Sequence, residues 1–506
     1  MAARVGVAES GRPFTMLHEV ISEIALRSPE EPALIDDDLE LTFAQLDDRI
    51  RRTISLIYER TSLGDRIAVI GANHHIWVEL YYAVPAAGRV LVFLNHRLAP
   101  NEIKQLMDRS GVGLIIGEPS QLERLEFTTR IGTGVEAIDW SSWALERDAT
   151  DVGVACAADP GALAWLLFTS GTTAAPKGAM LSHRSVLAAV EASSAARPVE
   201  DDDVYLFPFP LCHVAGYNVV HRHVAGRPVV LVDRFDPMSF CAVVRERDVT
   251  STSLAATMLA TLLDHLDTDP QQLAMLRSLR SIAYGAAPMS PSLLRRAHEL
   301  LGVDFAQGYG MTELSGNAVF LDAGAHRIGL AGDEAILRAA GRPAPGVELR
   351  LADDGEILVR APQAMIGYWE DDEATAAALV DGWLATGDVG RIDERGFLHV
   401  IDRSKDIIIT GGENVSSREV EDVLISAPGV ARVAVVGEPD ARWGERVCAV
   451  IVPLERTRFD EAEVLAHARR SLAGFKIPKR VLLVEELPVN ASGKVLKNEL
   501  RQALAR

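Results

Sequence analysis

Ala162-Leu163-Ala164-Trp165-Leu166-Leu167-Phe168 is an uninterrupted apolar run, and it passes directly into Thr169-Ser170-Gly171-Thr172-Thr173-Ala174-Ala175-Pro176-Lys177-Gly178. The first part has the pattern of a buried strand. The second is rich in hydroxyls, punctuated by glycine and closed by a cation. Glycine lets backbone N–H groups turn toward an anion, hydroxyls donate to phosphate oxygens, and Lys177 adds a compact positive charge. A polyphosphate is the natural ligand of such a loop. The Walker arrangement does not apply, because Pro176 stands where its second glycine belongs and Gly178 replaces the Mg²⁺-binding hydroxyl after the lysine. Taken alone, the loop also reads as a polar connection between a strand and a helix beginning near Ser182.

Outward from this point the chain alternates. Ile67–Ile70 and Val90–Phe93 are short apolar runs separated by a helix candidate over Ile76–Ala87, the pattern of a βαβ unit. Before them, Leu17, Val20, Ile21 and Ile24 recur at helical spacing, and Thr42–Tyr58 reads as a second amphipathic helix. The alternation continues to about Leu351 and predicts an α/β fold with mostly parallel, helix-covered sheets, whose ligands lie beyond the carboxyl ends of the strands. Glu356–Arg360 and Phe397–Ile401 read as strands beside the turn-rich segments Asp353-Asp354-Gly355 and Asp393-Glu394-Arg395-Gly396, so a small β-rich subdomain is expected there. A helix near Arg418–Leu424, strands near Val430–Val436 and Cys448–Val452, and a helix over Asp460–Leu472 predict a small α+β tail domain. The expected division is a large N-terminal domain over 1–402 and a small C-terminal domain over 403–506, with the boundary near Lys405.

A chain of 506 residues exceeds one ordinary hydrophobic core. Its 24% charged and 48% hydrophobic residues are ordinary for a folded globular protein. A formal net charge of -20 opposes long-range attraction to nucleic acid or anionic membranes. Cys156, Cys212, Cys241 and Cys448 are far apart and in no CxxC spacing, which points to small buried hydrophobes rather than a zinc site or a disulfide framework. Met1–Phe14 has no apolar signal core, and no stretch reaches the roughly 18 apolar residues of a membrane span. A cytoplasmic location is expected.

Further motifs follow the loop in order: Pro210-Leu-Cys-His213-Val-Ala-Gly216, Tyr284-Gly-Ala-Ala-Pro288, Gln307-Gly-Tyr-Gly-Met-Thr-Glu313, Thr386-Gly-Asp388, Arg403-Ser-Lys-Asp406, Gly411-Gly-Glu-Asn414 and Ser492-Gly-Lys494. Each is weak alone, and their order along nearly the whole chain is the strong signal. With them the chain resembles the adenylate-forming superfamily, which contains acyl-CoA synthetases, coumarate ligases, beetle luciferases and the adenylation domains of peptide synthetases. It is most similar to bacterial fatty-acyl-CoA synthetases. Two positions depart from the family pattern. Ala174 stands where glycine is usual, which stiffens the loop, and Ser416-Ser417 stand where an aromatic or serine followed by proline is usual, with local consequences expected.

The resemblance implies an acid–CoA ligase. ATP activates a carboxylic acid to acyl-AMP with release of pyrophosphate, and a mobile small domain then turns so that coenzyme A can take the acyl group. By the same resemblance Thr169, Ser170, Gly171, Thr172, Thr173 and Lys177 hold the β and γ phosphates, Glu313 binds Mg²⁺, and Thr312 hydrogen-bonds the α-phosphate. A hard cation prefers oxygen and takes one or two carboxylates alongside phosphates, which suits Glu313. Ala286, Gln307, Gly308 and Tyr309 border the adenine. Asp388 accepts the ribose hydroxyls and Arg403 supports them, which suits an acceptor-only carboxylate. Lys494 bridges the carboxylate and the α-phosphate, Lys405 is the hinge, Gly411 and Gly412 line the pantetheine tunnel, and His213 lies at the acyl carbonyl, where it gates the thiol.

The acid pocket is expected between the helix after His213, Ala255–Leu263 and Tyr284–Ala287. His221-Arg222-His223 is expected to face solvent, and the remaining Ala, Leu, Met and Val point to a fatty or other hydrophobic acid. Residues 495–506 leave no room for an attached carrier domain, so free coenzyme A is the expected acceptor, with a separate carrier protein as the alternative. A non-catalytic nucleotide-binding homologue is disfavoured by the presence of Lys494. A homodimer is compatible with all of this, and nucleic acid is not an expected partner.

Overall fold

A computed structural model describes residues 13–127, 135–153, 159–169, 176–285, 289–410, 413–440, 442–455, 459–489 and 495–504. The chain divides into two compact units, Met1–Glu348 with Arg360–Leu384, and Leu349–Val359 with Ala385–Arg506. No helix among the described residues is long and apolar enough to cross a membrane.

The first unit is built on two large sheets. In the seven-stranded sheet the order is Gly367–Tyr368, Lys177–Ser182, Leu163–Thr169, Val90–Leu94, Arg66–Ile70, Val112–Gly117 and Glu136–Asp139. From Leu163–Thr169 to Glu136–Asp139 the neighbours run parallel. Val90–Leu94 is buried at every position, which is why it reads as a continuous apolar run rather than an alternating one. The nine-stranded sheet has the order Arg342–Pro343, Gly316–Leu321, Asp304–Met311, Ser281–Gly285, Ser251–Ser253, Tyr205–Phe207, Val229–Leu231, Pro32–Asp36 and Leu39–Thr42. Its interior is parallel and its two margins are antiparallel. The expected α/β architecture is therefore present.

Local chemistry explains the helices. Thr42 accepts the Gln45 N–H at 3.3 Å while the Gln45 side chain accepts the Thr42 N–H at 2.9 Å, a capping box that starts helix Phe43–Arg60. Helix His75–Ala86 is buried from Ile76 onward and joins the parallel strands Arg66–Ile70 and Val90–Leu94, as the βαβ pattern predicts.

One expectation is corrected here. His221-Arg222-His223 does not face solvent: the exposures are 0%, 6% and 0%. Helix Tyr217–Val224 packs against helices Leu17–Arg27 and His183–Ala196. Arg222 and His223 find partners from distant parts of the chain. Arg222 Nε lies 2.8 Å from Asp203 Oδ2, and His223 joins Tyr82 Oη at 2.7 Å and the Ala33 carbonyl at 3.0 Å. A buried cation is tolerated when it is paired, and Asp203, far off in sequence, is the partner that local polarity does not reveal.

Within the second unit, residues 385–392 and 398–403 form an antiparallel pair, with Asp388 opposite Arg403. A five-stranded sheet follows, ordered Glu413–Val415, Ile408–Thr410, Gly444–Pro453 and Val430–Asp440, with Arg480–Leu483 added parallel to Gly444–Pro453. The long hairpin runs from Val430 opposite Pro453 to Asp440 opposite Gly444. Helices Ser417–Leu424 and Glu461–Ser471 close one core with Val435, Val447, Ala449 and Ile451, and Leu500 of helix Lys497–Leu504 closes another with Val436, Cys448 and Val450.

Candidate active site

Strands Leu163–Thr169 and Lys177–Ser182 pair antiparallel, with Thr169 opposite Lys177 and the Thr169 hydroxyl 3.3 Å from the Lys177 carbonyl. The predicted phosphate loop is thus carried between two paired strands at a sheet margin. Ser170, Gly171, Thr172, Thr173 and Ala174 themselves lie outside the described residues, as do Ala286, Gly411, Gly412 and Lys494. The base of the loop is held from outside: Arg109 Nη1 donates to the Pro176 carbonyl at 2.7 Å, and the indole N–H of Trp369 donates to the Arg109 carbonyl at 3.0 Å.

Glu313 sits on the turn of a second hairpin. Asp304–Met311 and Gly316–Leu321 pair antiparallel, with Met311 opposite Gly316, and Thr312–Leu314 make one 3₁₀ turn between them. Ser315 closes that turn in the left-handed region at φ 53°, a conformation rare for a residue with a Cβ. It is held there by its hydroxyl, which donates to the Gln363 carbonyl at 3.0 Å, while the Met365 N–H donates to the Glu313 carbonyl at 2.8 Å. The strain is thus offset by the segment that leads into Tyr368.

Tyr368 joins the two hairpins. Its hydroxyl donates to Glu313 Oε1 at 2.8 Å, and Lys177 Nζ stands 5.0 Å from the centre of its ring. Lys177 and Glu313, both predicted from motifs, are thereby brought onto one side chain that the motifs did not include. No spacing signal marks Tyr368, because its strand pairing, with Ala179, is long-range. The arrangement fits a hard divalent cation: one carboxylate oxygen is oriented by a phenol, and the other has no partner among the described residues. Glu313 would hold such an ion, which would neutralise charge on phosphate oxygens.

Gln307 and Gly308 lie beside Tyr284 and Gly285 in parallel register, so two of the predicted segments share one sheet end. The Tyr284 ring belongs to the core. It is buried, and its hydroxyl donates to His326 Nε2 at 2.8 Å while His326 Nδ1 bonds the Asp322 carbonyl at 2.9 Å. Strand alternation then leaves Ala283 and Gly285 on the opposite face. Leu259, Leu262 and Leu263 of the second expected wall are also core residues.

The segment leading to His213 is clamped by one carboxamide. Asn73, 4% exposed, donates to the carbonyls of Phe209 at 2.8 Å and Val232 at 2.9 Å and accepts the Leu211 N–H at 2.8 Å. The Tyr81 hydroxyl bonds the Leu211 carbonyl, and a Cβ on Gly216 would meet that hydroxyl at 2.2 Å. Burial, with Arg97 and His96 nearby, pushes His213 down to about 4, so its imidazole is neutral near pH 7. Its Nε2 is buried with no partner among the described residues. Neither Asn73 nor Tyr81 has a local sequence signature for this function.

In the second unit Arg403 Nε lies 2.7 Å from Asp388 Oδ1. The segment before Asp388 is fixed by the Thr386 hydroxyl, which bonds the Ile357 carbonyl at 2.8 Å, and by the Gly387 N–H, which donates to Glu356 Oε1 at 2.8 Å. Lys405 is exposed in the 3₁₀ turn Ser404–Asp406, where its carbonyl accepts from Arg501 Nη2 at 3.3 Å and Asp406 Oδ1 lies 2.7 Å from the same guanidinium. Ser416 and Ser417 reach further than expected: both hydroxyls meet Asp402 Oδ2, at 3.2 and 2.7 Å, next to Arg403. Lys497 adds to this network, 2.7 Å from the Ser417 hydroxyl and 2.7 Å from Glu421.

One other polar cluster, Asp36, His74 and His75, has ligand-type atoms within 4.8 Å of one another. His74 Nδ1 accepts the Ile76 N–H, Asp36 accepts the His75 N–H at 2.7 Å, and Arg49 and Arg147 both pair with Glu79 on the same helix. A helix N-terminus with two guanidiniums nearby opposes a cation, so this cluster is a helix cap.

Residues 21–369 match the family described as AMP-binding enzyme, and residues 419–494 match the AMP-binding enzyme C-terminal domain. The chain belongs to the AMP-binding enzyme family. This is the adenylate-forming group that the motifs resemble. The AMP-binding enzyme is 36% identical over 496 residues to feruloyl-CoA synthase of an Amycolatopsis species, covering 94% of this chain and 97% of the relative. Among solved structures, o-succinylbenzoate CoA synthetase from Bacillus subtilis with its acyl-adenylate intermediate superposes with a TM-score of 0.84 at 31% identity, over 95% and 97% of the two chains. The same Bacillus enzyme with ATP and magnesium superposes with a TM-score of 0.84 at 30% identity, over 96% and 99% of the two chains. The family and these relatives place the AMP-binding enzyme in the class of acid–CoA ligases.

Proposed function

We propose that this AMP-binding enzyme activates a hydrophobic carboxylic acid with ATP and transfers the acyl group to coenzyme A in the cytoplasm. The observation that carries the proposal is the meeting of Lys177 and Glu313 on Tyr368, which sets a compact cation beside a carboxylate able to hold Mg²⁺ at the base of a hydroxyl-rich loop. In the first half-reaction the substrate carboxylate attacks the α-phosphorus, the bond from that phosphorus to the bridging oxygen breaks, and pyrophosphate leaves. Bound Mg²⁺ supplies charge neutralisation on the phosphates. Catalysis by the chain is positioning and electrostatics: Thr169 and Lys177 on the β and γ phosphates, Thr312 on the α-phosphate, and Lys494 on the carboxylate and α-phosphate.

In the second half-reaction the thiol sulfur attacks the acyl carbon, AMP leaves with the electron pair of the broken carbon–oxygen bond, and the thiol proton passes to solvent. Lys494 belongs to the first step only. The small C-terminal domain, 403–506, is proposed to turn about Lys405 between the steps and to bring Gly411 and Gly412 to the thiol path. His213, neutral near pH 7, gates that path without adding a charge. Feruloyl and o-succinylbenzoyl groups, named for the relatives, are ring-bearing, and a ring-bearing acid is proposed in preference to a straight fatty acid.

The test is an ATP- and Mg²⁺-dependent assay over a graded panel of acids, reading AMP and acyl-CoA separately. Lys494→Ala should suppress acyl-adenylate formation far more than thioester formation from supplied acyl-adenylate. Equal small effects on both steps would overturn the role of Lys494, and AMP without acyl-CoA would replace coenzyme A by a carrier-protein thiol.

A further inference from the structure

A 3₁₀ turn, Val214–Gly216, leads from His213 into helix Tyr217–Val224, where a rise of ~1.5 Å per residue puts His221 roughly 6 Å beyond Tyr217. His213 marks the carbonyl end of the acid in the proposed function, so this stretch spans the length of a ring-bearing acyl group. Two of the donors gathered there are buried without a hydrogen-bond partner among the described residues.

The Tyr217 phenol oxygen receives three donors: Ser193 Oγ at 3.0 Å, Asn317 Nδ2 at 2.9 Å and Arg197 Nη2 at 3.3 Å. Arg197 Nη2 also donates to Asn218 Oδ1 at 2.9 Å, and its Nε–H is buried with no partner among the described residues. Among the described residues no carboxylate pairs with Arg197, whereas the neighbouring Arg222 has Asp203 at 2.8 Å. His221 is fully buried. Its Nδ1 accepts from Arg222 Nη1 at 2.8 Å, so the ring proton is on Nε2, and that donor too has no acceptor among the described residues. Tyr217, which Arg197 contacts, lies one helical turn before His221 on the same helix face.

The cluster adjoins the sheet end already described. A Cβ on Gly308 would meet Asn317 Nδ2 at 2.2 Å, and one on Gly285 would meet the Gly308 carbonyl at 2.6 Å. Gly316, at φ +149°, lies against the Tyr217 ring, where a Cβ would come within 3.0 Å. The bare backbones of Gly308 and Gly316 therefore make room for Asn317 and Tyr217 beside the segments expected to wall the acid.

Two buried donors without acceptors, one on the half-buried Arg197 and one on the fully buried His221, are unfavourable unless an acceptor is supplied from outside. We infer that Arg197, with Tyr217, His221 and Asn317, recognises a second oxygen acceptor, a carboxylate or a carbonyl, at the end of the acid remote from the carboxylate that is activated. This rests on the acid–CoA ligase reading and names its substrate class: ring-bearing acids with a distal oxygen function.

The test measures kcat/KM for AMP release with 4-phenylbutanoate, 4-oxo-4-phenylbutanoate and 2-succinylbenzoate, which carry no further acceptor, a carbonyl, and a carbonyl with a second carboxylate. The acceptor-bearing acids are expected to be preferred by about tenfold or more, as for a hydrogen bond to a charged group. Arg197→Met and, separately, Asn317→Val should collapse the ratio toward one. Preference for 2-succinylbenzoate alone assigns the acceptor as a carboxylate, and equal preference for both assigns it as a carbonyl. AMP release without preference, or a preference unmoved in both variants, overturns the inference and leaves the ligase reading intact. No AMP from these acids or from a fatty-acid series, in enzyme that still binds ATP, overturns both.

Discussion

Asp388 and Arg403 face each other across two antiparallel strands, with Arg403 Nε 2.7 Å from Asp388 Oδ1. The guanidinium orients the carboxylate that the motifs assign to the ribose hydroxyls. Asp388→Asn keeps the size of the side chain and loses its charge. It should raise the KM for ATP by about tenfold or more, the usual worth of a charge-assisted hydrogen bond, with little change in kcat. Arg403→Met should act in the same direction, and the double variant should be scarcely worse than the stronger single one, because the residues act as a pair. Full additivity in ATP titrations would show that they act separately.

Tyr368→Phe removes one hydrogen bond to Glu313 and keeps the ring beneath Lys177. The expected cost is ~1 kcal/mol, seen as a rise of about fivefold in the Mg²⁺ concentration for half-maximal pyrophosphate release. Glu313→Gln should lower the rate at saturating Mg²⁺ by about a hundredfold or more. If both variants respond to Mg²⁺ like the parent, Glu313 is not the metal ligand.

Acid should destabilise the first unit through imidazoles that the fold keeps neutral. Burial holds His183, His223 and His326 down to about 4. The unfolded chain protonates them near 6.5. Between these values the unfolded state binds more protons, so stability rises with pH across this window and falls as pH drops through it, by at most ~1.4 kcal/mol per unit for each group. The midpoint of thermal unfolding should be lower at pH 5 than at pH 7, and His326→Gln should flatten the slope. A midpoint that does not fall on acidification contradicts this account.

Arg501 ties the last helix to the proposed hinge through the Lys405 carbonyl and Asp406. Arg501→Ala should therefore alter the rates of the two half-reactions unequally, by a ratio of about threefold or more, while the partly buried ion pair contributes about 1 kcal/mol to stability. Adenylation and thioesterification slowed by the same factor would assign Arg501 a purely structural part.

Much of this architecture is legible in the chain because burial writes itself into composition. Val90–Leu94 reads as a strand since every side chain is enclosed, and Thr42 with Gln45 announces a helix start by chemistry confined to four residues. Glu313 and Lys177 are legible for a different reason, their place in motifs. What joins them is not. Tyr368 reaches Glu313 by a strand pairing with residues far away, and Arg222 becomes a core residue because Asp203 is folded against it. His221-Arg222-His223 reads as a solvent face because polarity measures a side chain, whereas burial depends on the partner. Tyr284 misled in the opposite sense: it lies in a site motif, yet its hydroxyl serves His326 in the core.

Asn73 has a consequence for the ageing of the protein. Its amide donates twice and accepts once, and those three bonds hold the backbone that leads to His213. Deamidation would exchange the donor for a second acceptor and set a carboxylate against the carbonyls of Phe209 and Val232. The side chain is 4% exposed, so the fold shelters it from the water that the reaction requires. Damage at this one position would therefore await partial opening, and it would then fix the loop in its loosened state, so that protein stored near its unfolding threshold loses the placement of His213 before it loses its fold.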